Sequence, residues 1–194
     1  MSRSAPNLTL AVPQVEEKQT EAHRKRSIRA YLAVHRPVIG RLIQGEFEIR
    51  TLSEAERLAT MLASHCPDPE NTAIGLWELL CNAIEHGNYD IDCEQKAALL
   101  RQGLLHEELE HRSGLPPYCD RVVKVNFRQS SKRIGIRIED EGRGFDFARY
   151  LAVLPFSEAP NGRGIAMARA LAFSTLNYQG AGNIAIATIG RERA

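Results

Sequence analysis

Cysteine is scarce in this sequence, and long apolar runs are absent. The four cysteines are Cys66, Cys81, Cys93 and Cys119, and none stands in a C-x-x-C pair. This spacing argues against a zinc ribbon or a disulfide framework, so we expect free thiols and a cytoplasmic protein. No apolar stretch approaches the ~20 residues that a helix needs to cross a bilayer, so we expect no membrane span. We also expect no signal peptide, because the N-terminus lacks an apolar core.

A large excess of charge of one sign is also missing. The net charge is +1 over 194 residues, which gives no global reason to expect direct nucleic-acid binding. The charge is uneven, with +5 in residues 1–45 and −4 in the remainder. Such a basic arm could contact a membrane, nucleic acid or an acidic protein, although a solvated arm is the more common case. We expect residues 1–45 to be an N-terminal extension, partly disordered and partly helical, before one domain at 46–194.

Glu78 and Asn82 stand four positions apart in an otherwise apolar segment, E-L-L-C-N-A-I-E-H-G. On a helix, residues at this spacing lie on one face. A helix that is apolar around most of its circumference is a buried helix, and a buried carboxylate or amide needs a polar partner. The two side chains therefore either face a cavity that holds an ion and a polar ligand, or form a solvated stripe on a half-buried helix.

Two glycine pairs follow later in the chain. In D-E-G-R-G-F, Asp140 and the glycines Gly142 and Gly144 end an alternating apolar run. In G-R-G-I, Gly162 and Gly164 open an alanine-rich helical stretch. Glycine lets the backbone turn tightly and approach a ligand closely, and a helix N-terminus favours phosphate. Each pair could therefore lie beside a phosphate-bearing ligand, although a single G-x-G is more often an ordinary turn.

In the order E-x-x-x-N…H-G, D-x-G-x-G-F and G-R-G-I, these motifs resemble those of the GHKL (Bergerat-fold) ATPase superfamily. Within it, the chain is most similar to the histidine-kinase-like ATPase domains of the bacterial anti-sigma-factor serine/threonine kinases. The resemblance covers about residues 46–190. It implies an α+β fold, a two-layer α/β sandwich with a mixed, mainly antiparallel sheet and helices on one face. It also implies ATP and Mg²⁺ as cofactors.

The resemblance gives catalytic and metal-binding roles to three residues. Glu78 matches the general base and Asn82 matches the magnesium ligand. Arg163 matches the phosphate-binding turn at the end of the lid, where its charge could offset charge on the transferred phosphoryl group. The chemistry of Asn82 agrees, because Mg²⁺ prefers oxygen ligands and keeps waters and substrate phosphates around it. A surface arginine in a loop is the alternative for Arg163.

Nucleotide-binding roles follow from the same resemblance. Asp140 matches the acid that accepts a hydrogen bond from the adenine amino group, although Asp is also common in turns at strand ends. Gly142 and Gly144 match the glycines beneath the nucleotide. Gly162 and Gly164 match the glycines of the phosphate-binding turn.

Three further residues are predicted to contact the nucleotide. His86 and Phe145 belong to the same motifs. Thr188 carries a hydroxyl on the last predicted strand, where relatives often use one to hold the adenine-binding acid and its water. An ordinary strand residue is the alternative for Thr188, because threonine favours strands.

Local patterns predict the elements around these motifs. Residues 47–51 alternate like a short strand, and Ser53 with Glu56 predicts a capping box at the start of the next helix. Residues 122–127 and 134–138 alternate like the two strands of a hairpin.

The segments beside the motifs are also predicted. The helix that carries Glu78 is expected to end at Gly87. A helical insertion is expected at about 88–120, with Gly103 as a kink or break, and a lid over the nucleotide at 147–160.

The resemblance implies an ATP-dependent serine/threonine protein kinase of the anti-sigma-factor, partner-switching type. Its substrate would be a small STAS-like antagonist protein, a sigma factor is a second expected partner, and a homodimer is the expected assembly. One alternative is a nucleotide-binding regulatory module without significant kinase activity. Another is the ATPase half of a split sensor histidine kinase. That alternative needs an upstream acceptor histidine, but His23, His35 and His65 stand in no H-[ED]-x-x-x-P setting.

Overall fold

The computed structural model describes residues 26–30, 40–151 and 163–191 of the chain. The described strands are β1 (Gln44–Ile49), β2 (Val123–Gln129), β3 (Arg133–Glu139), β4 (Thr175–Gln179) and β5 (Ile184–Gly190). The described helices are α1 (Leu52–Ala63), α2 (Pro69–Asn82), α3 (Cys93–Gln102), α4 (Leu105–Ser113), α5 (Phe147–Leu151) and α6 (Arg163–Leu171). A π-helix (Ala83–Asn88) continues α2.

The strands form one sheet in the order β1-β2-β3-β5-β4, and every neighbouring pair among them is antiparallel. Alternate residues point to the two faces of a strand. On β3 the buried residues are Ile134, Ile136 and Ile138, and on β5 they are Ala185, Ala187 and Ile189. The predicted α+β sandwich is confirmed, although the parallel component of a mixed sheet does not occur among the described strands.

Helix α2 lies between α1 and α6 and is buried over most of its length. This position explains why its sequence is apolar around most of the circumference. Gly75 lets α2 approach the segment after α6, because a Cβ atom there would overlap the Cβ atom of Ala172. The helices therefore form one layer against the buried face of the sheet.

The start of α1 differs from the prediction by two residues. Thr51, and not Ser53, is the N-cap: its side chain accepts from the backbone N–H of Glu54 at 3.2 Å, and Glu54 accepts from the backbone N–H of Thr51 at 3.0 Å. The predicted capping box of Ser53 with Glu56 was therefore wrong, and Thr51 with Glu54 forms it.

The end of α2 differs as well. An ordinary helix was expected to stop at Gly87, but the backbone changes to a π-helix that ends at Asn88. The N–H of Tyr89 donates to the carbonyl of Ile84 at 2.9 Å, a step of five residues. Single π-turns of this kind are rare and often stand at functional sites.

The predicted insertion consists of the two helices α3 and α4, and Gly103 breaks them apart in a left-handed conformation with φ of +70°. Two of its cations, Lys96 and Arg112, brace the end of the π-helix together with Arg121, which follows the insertion. Lys96 Nζ lies 2.5 Å from the Glu85 carboxylate, Arg112 donates to the Tyr89 carbonyl at 2.5 Å, and Arg121 donates to the Asn88 carbonyl at 2.8 Å. Cations at a helix C-terminus satisfy its last carbonyls and favour its dipole.

Part of the predicted N-terminal extension packs against the domain. Residues 26–30 are helical, Ile28 is 1% exposed within the core, and Arg29 forms an ion pair with Glu70 of α2 at 2.6 Å. These contacts contradict a fully solvated arm for this fragment. Strand β1 begins at Gln44, and residues 1–25 and 31–39 lie outside the described residues. Across the described ranges, no helix is both long enough and apolar enough to cross a membrane.

Candidate functional site

Asp140 lies directly behind β3 and continues the alternation of its buried residues, so its side chain faces the helices. There it rests on the π-helix at Gly87. A Cβ atom on Gly87 would lie 2.5 Å from Asp140 Oδ1, which is too close for any real side chain. The structure therefore brings the first and second sequence motifs into direct contact.

Burial gives this carboxyl an unusual acidity. The pKa of Asp140 is raised to about 6, chiefly by desolvation, and Glu139 nearby adds to the shift. The N–H of Gly142 donates to Asp140 Oδ1 at 2.9 Å and opposes the shift, as does the charge of Arg121. Above pH 6 the group is an ionised acceptor in a poorly solvated place, which suits a hydrogen bond from an amino group.

The glycines after Asp140 lie where only glycine fits. A Cβ atom on Gly142 would collide with the backbone of Gly87, and one on Gly144 would collide with the carbonyl of Ala181. Gly144 also has φ of +76°, which other residues rarely adopt. The D-x-G-x-G turn is thus pressed between the π-helix and the β4–β5 turn.

Phe145 lies in an aromatic cluster at the start of the predicted lid. Its ring centroid is 5.1 Å from that of Tyr178, 5.2 Å from Tyr150 and 6.5 Å from Phe147, all in edge-to-face geometry. Burial, together with the charge of Asp140, raises the pKa of Tyr178. The cluster anchors the chain before residues 152–162, and a stacking role for Phe145 stays a prediction.

His86 lies on the π-helix, one residue before the contact with Asp140. Its Nδ1 forms a hydrogen bond with the carbonyl of Ile91. A carbonyl only accepts, so Nδ1 carries the hydrogen and Nε2 is left as an acceptor. Burial lowers the pKa of His86, which favours the neutral ring at pH 7.

Glu78 and Asn82 lie one turn apart on α2, and both are half-buried among buried neighbours. Gly164, near the start of α6, lies against the Glu78 side chain. A Cβ atom on Gly164 would lie 2.6 Å from Glu78 Oε2. The third sequence motif therefore meets the first at this carboxylate, where the positive end of a helix dipole favours a negative charge.

Two predicted residues fall partly or wholly outside the description. Gly162 lies outside the described residues, together with 152–161 of the predicted lid. Arg163 is the first residue of α6, and only its backbone is described. The described start of the lid is helical, as α5.

Thr188 does not join the site. It pairs with Gly135 on β3 and its hydroxyl is 2.7 Å from that of Thr175. Its neighbours Ala187 and Ile189 are buried against the helices, so Thr188 points to the opposite face of the sheet. The prediction that Thr188 helps to hold Asp140 was wrong, because the residue has the wrong parity on β5.

Sequence reasoning missed two residues that hold the Asp140 turn. The N–H of Glu141 donates to Asn88 Oδ1 at 2.8 Å, and Asn183 Nδ2 donates to the Asp140 carbonyl at 3.0 Å. Asn88 is 2% exposed. A helix end and a turn are ordinary places for asparagine, so no local signal separates these two from others.

The donor set limits which metal could bind. Among the described residues, no group of three or more His, Cys, Asp or Glu side chains is placed to hold an ion. An ion here would depend on the amide oxygen of Asn82 and on oxygens of a ligand. That set fits Mg²⁺, which keeps waters and phosphates and uses few protein ligands.

No protein-family model matches this chain, and no curated protein matches it significantly.

Proposed function

We propose that this chain binds Mg-ATP and acts as a serine/threonine protein kinase of the anti-sigma-factor type. The observation that carries the proposal is a pair of glycine–carboxylate contacts, one in the last turns of α2 and one in the π-helix that continues it. Gly87 lies on Asp140 and Gly164 lies on Glu78. The first motif thereby contacts both the second motif, which begins more than 50 residues later at Asp140, and the third motif, at Gly164.

The Asp140 end fits recognition of a base. A half-buried carboxylate with a pKa of about 6 is ionised at pH 7 and accepts a hydrogen bond from an exocyclic amino group. The backbone of Gly87 and that of Gly142 are in contact there, and we propose that a base lies beside the acid against this backbone. Such a surface suits a flat ring.

The Glu78 end fits phosphoryl transfer. We assign Asn82 to hold Mg²⁺ and the N-terminus of α6 to hold phosphate oxygens, since free N–H groups and the helix dipole favour phosphate there. Bound Mg-ATP would supply the phosphoryl group and the metal charge. Glu78 is assigned to accept the proton of the incoming hydroxyl, while positioning supplies most of the rate enhancement.

The partner follows from the resemblance to anti-sigma-factor kinases alone. We propose a serine or threonine of a small STAS-like antagonist as the phosphate acceptor, a sigma factor as a second partner, and a homodimer as the assembly.

Calorimetric titration of Mg-ATP tests the nucleotide site. Wild type should bind in the micromolar range, and Asn82→Ala should lose the part of the affinity that depends on Mg²⁺. Asn177→Ala, an exposed asparagine on β4, is the matched control and should bind like wild type. An absence of binding by wild type contradicts the proposal.

Glu78→Gln separates the kinase from a regulatory module that only binds nucleotide. As a kinase, the variant keeps Mg-ATP affinity and loses transfer of labelled phosphate to a STAS-like protein by about 10²-fold or more. The module is a second candidate because Glu78 packs against Gly164, a contact that a structural carboxylate would also make. Binding without phosphate transfer by wild type favours the module.

A further inference from the structure

Two asparagines hold the Asp140 turn from opposite sides. Asn88, at the end of the π-helix, accepts from the N–H of Glu141 at 2.8 Å. Asn183, in the β4–β5 turn, donates to the Asp140 carbonyl at 3.0 Å, and its own carbonyl accepts from the Asp140 N–H at 3.0 Å. The backbone on both sides of the Asp140 side chain is therefore fixed to other elements.

Packing alone does not explain why an asparagine is buried at position 88. The residue is 2% exposed, and its Nδ2 has no hydrogen-bond partner among the described residues. A buried donor without a partner destabilises a fold, and an apolar residue of similar size would avoid that cost. An amide at this position is therefore better explained by what its Oδ1 holds in place.

The backbone of Asn88 is itself held. Arg121 donates to its carbonyl at 2.8 Å and forms an ion pair with Asp90 at 3.2 Å. The carbonyl of Gly87, one residue earlier, is the atom that a side chain on Gly142 would strike. The backbone of the π-helix thus contacts the backbone of the Asp140 turn, and the hydrogen bond from the Glu141 N–H to Asn88 Oδ1 holds the two together.

We propose that Asn88 and Asn183 are positioning residues that set the discrimination between adenine and guanine by fixing the place of the Asp140 carboxylate. This inference rests on the proposed nucleotide-binding function. Adenine presents an amino group where guanine presents a carbonyl oxygen. A fixed carboxylate accepts from the former and repels the latter, and hydrogen-bonding sites of this kind discriminate strongly. If the turn could shift, the carboxylate would bind adenine less well and repel guanine less strongly.

The test is the ratio of the dissociation constants of Mg-GTP and Mg-ATP, measured by calorimetry or competition. Asn88→Leu keeps the approximate volume and removes the acceptor for Glu141. It should lower the ratio about tenfold, the size of one misaligned hydrogen bond to a charged group. Asn183→Ala keeps the backbone hydrogen bond from the Asp140 N–H and removes only the one that Nδ2 donates, so it should lower the ratio less. Asn177→Ala should leave it unchanged.

A merely structural role predicts a different result. If Asn88→Leu weakens ATP and GTP equally, the ratio stays at the wild-type value and the inference is wrong, although the proposed function stands. If wild type binds neither nucleotide, the proposed function itself fails. If Asn88→Leu does not fold, as judged by circular dichroism, Asn183→Ala carries the test, and an unchanged ratio there overturns the inference.

Discussion

The two ends of the candidate site are built in different ways. At the Asp140 end, backbone lies on backbone: Gly142 meets Gly87, and hydrogen bonds from two other elements fix the turn. At the Glu78 end, flexible side chains project from one helix, and the closest approach is that of Gly164 to a carboxylate oxygen. The first end can move only if whole elements move, whereas the second can adjust by rotating a side chain. Substitutions should therefore act on stability and binding at the first end, and on chemistry at the second.

Gly142→Ala should have the largest effect, because the added methyl group strikes the backbone of Gly87 and cannot be accommodated by a side-chain rotation. We expect a loss of about 3 kcal/mol in the free energy of unfolding, the upper part of the range for overpacking. Mg-ATP binding should fall below detection. Urea unfolding and calorimetry measure the two effects.

Gly135→Ala is the matched control for this comparison. Gly135 lies on β3, five residues before Asp140. The nearest atom to a Cβ atom added there would be the Arg128 carbonyl oxygen, at 4.0 Å. Alanine there should be neutral or slightly stabilising. Equal losses of stability in both variants would mean that the loss does not come from the contact of Gly142 with Gly87.

Lys96→Met tests whether the insertion supports the Asp140 end. Glu85 is 3% exposed and pairs with Lys96 at 2.5 Å. Removal of the cation leaves a buried charge, and we expect a loss of about 2–3 kcal/mol, somewhat less than for a fully buried pair because Lys96 is partly exposed. Lys132→Met, in an exposed turn, should cost almost nothing.

The double variant Lys96→Met with Glu85→Gln removes both charges. It should recover more than half of the lost stability, because no unpaired charge remains. Thermal and urea unfolding of the three variants form a double-mutant cycle. Additive losses would mean that the ion pair does not brace the π-helix.

Gly164→Ala tests the other side of the comparison. The added methyl group meets only Oε2 at the end of the Glu78 side chain, 2.6 Å away, and that end can rotate. We expect less than about 1 kcal/mol of lost stability, yet a fall of about ten- to a hundredfold in phosphate transfer at saturating Mg-ATP, as small displacements of catalytic groups often cause. A loss of stability as large as that of Gly142→Ala would remove the distinction between the two ends.

Elements of the fold could be predicted from the sequence where a local pattern of residues determines them. The hairpin of β2 and β3 and the break at Gly103 followed from alternation and from a single glycine. Choices between equal local patterns were not predictable in this way. T-x-x-E at Thr51 and S-x-x-E at Ser53 both satisfy the capping-box pattern, and the structure uses the first.

The site was predictable where a residue type is chemically unusual, and not where its partner is distant in sequence. Asp140 stood out beside two glycines, but Asn88 acquires its meaning only from a contact with Glu141, 53 positions away. The π-helix was not predicted either, and Gly87 within it meets Asp140 only through tertiary packing. The orientation of Thr188 was within reach, because the buried residues of β5 alternate with it.

The stability of the Asp140 end should depend on pH. The pKa of Asp140 is about 6 in the folded protein and 3.8 in its ordinary state. Between these values the folded state holds more protons, so the stability linked to this carboxyl is fully present below about pH 4 and is lost as pH rises through 6. Asp140→Asn should therefore gain roughly 1–2 kcal/mol over wild type between pH 4 and 7, with solvent screening at this half-buried site taken into account.

Nucleotide affinity should change in the opposite direction to stability. Base recognition needs the ionised acceptor, so wild type should lose about tenfold in Mg-ATP affinity for each pH unit below 6. The nucleotide phosphates titrate as well, and Asp140→Asn reports their contribution because its amide does not titrate. Calorimetry between pH 5 and 7.5 on both proteins separates the effect of Asp140 ionisation on affinity from that of the phosphates. If their affinity profiles run parallel, Asp140 does not contact the base, and the difference between the two ends is one of packing alone.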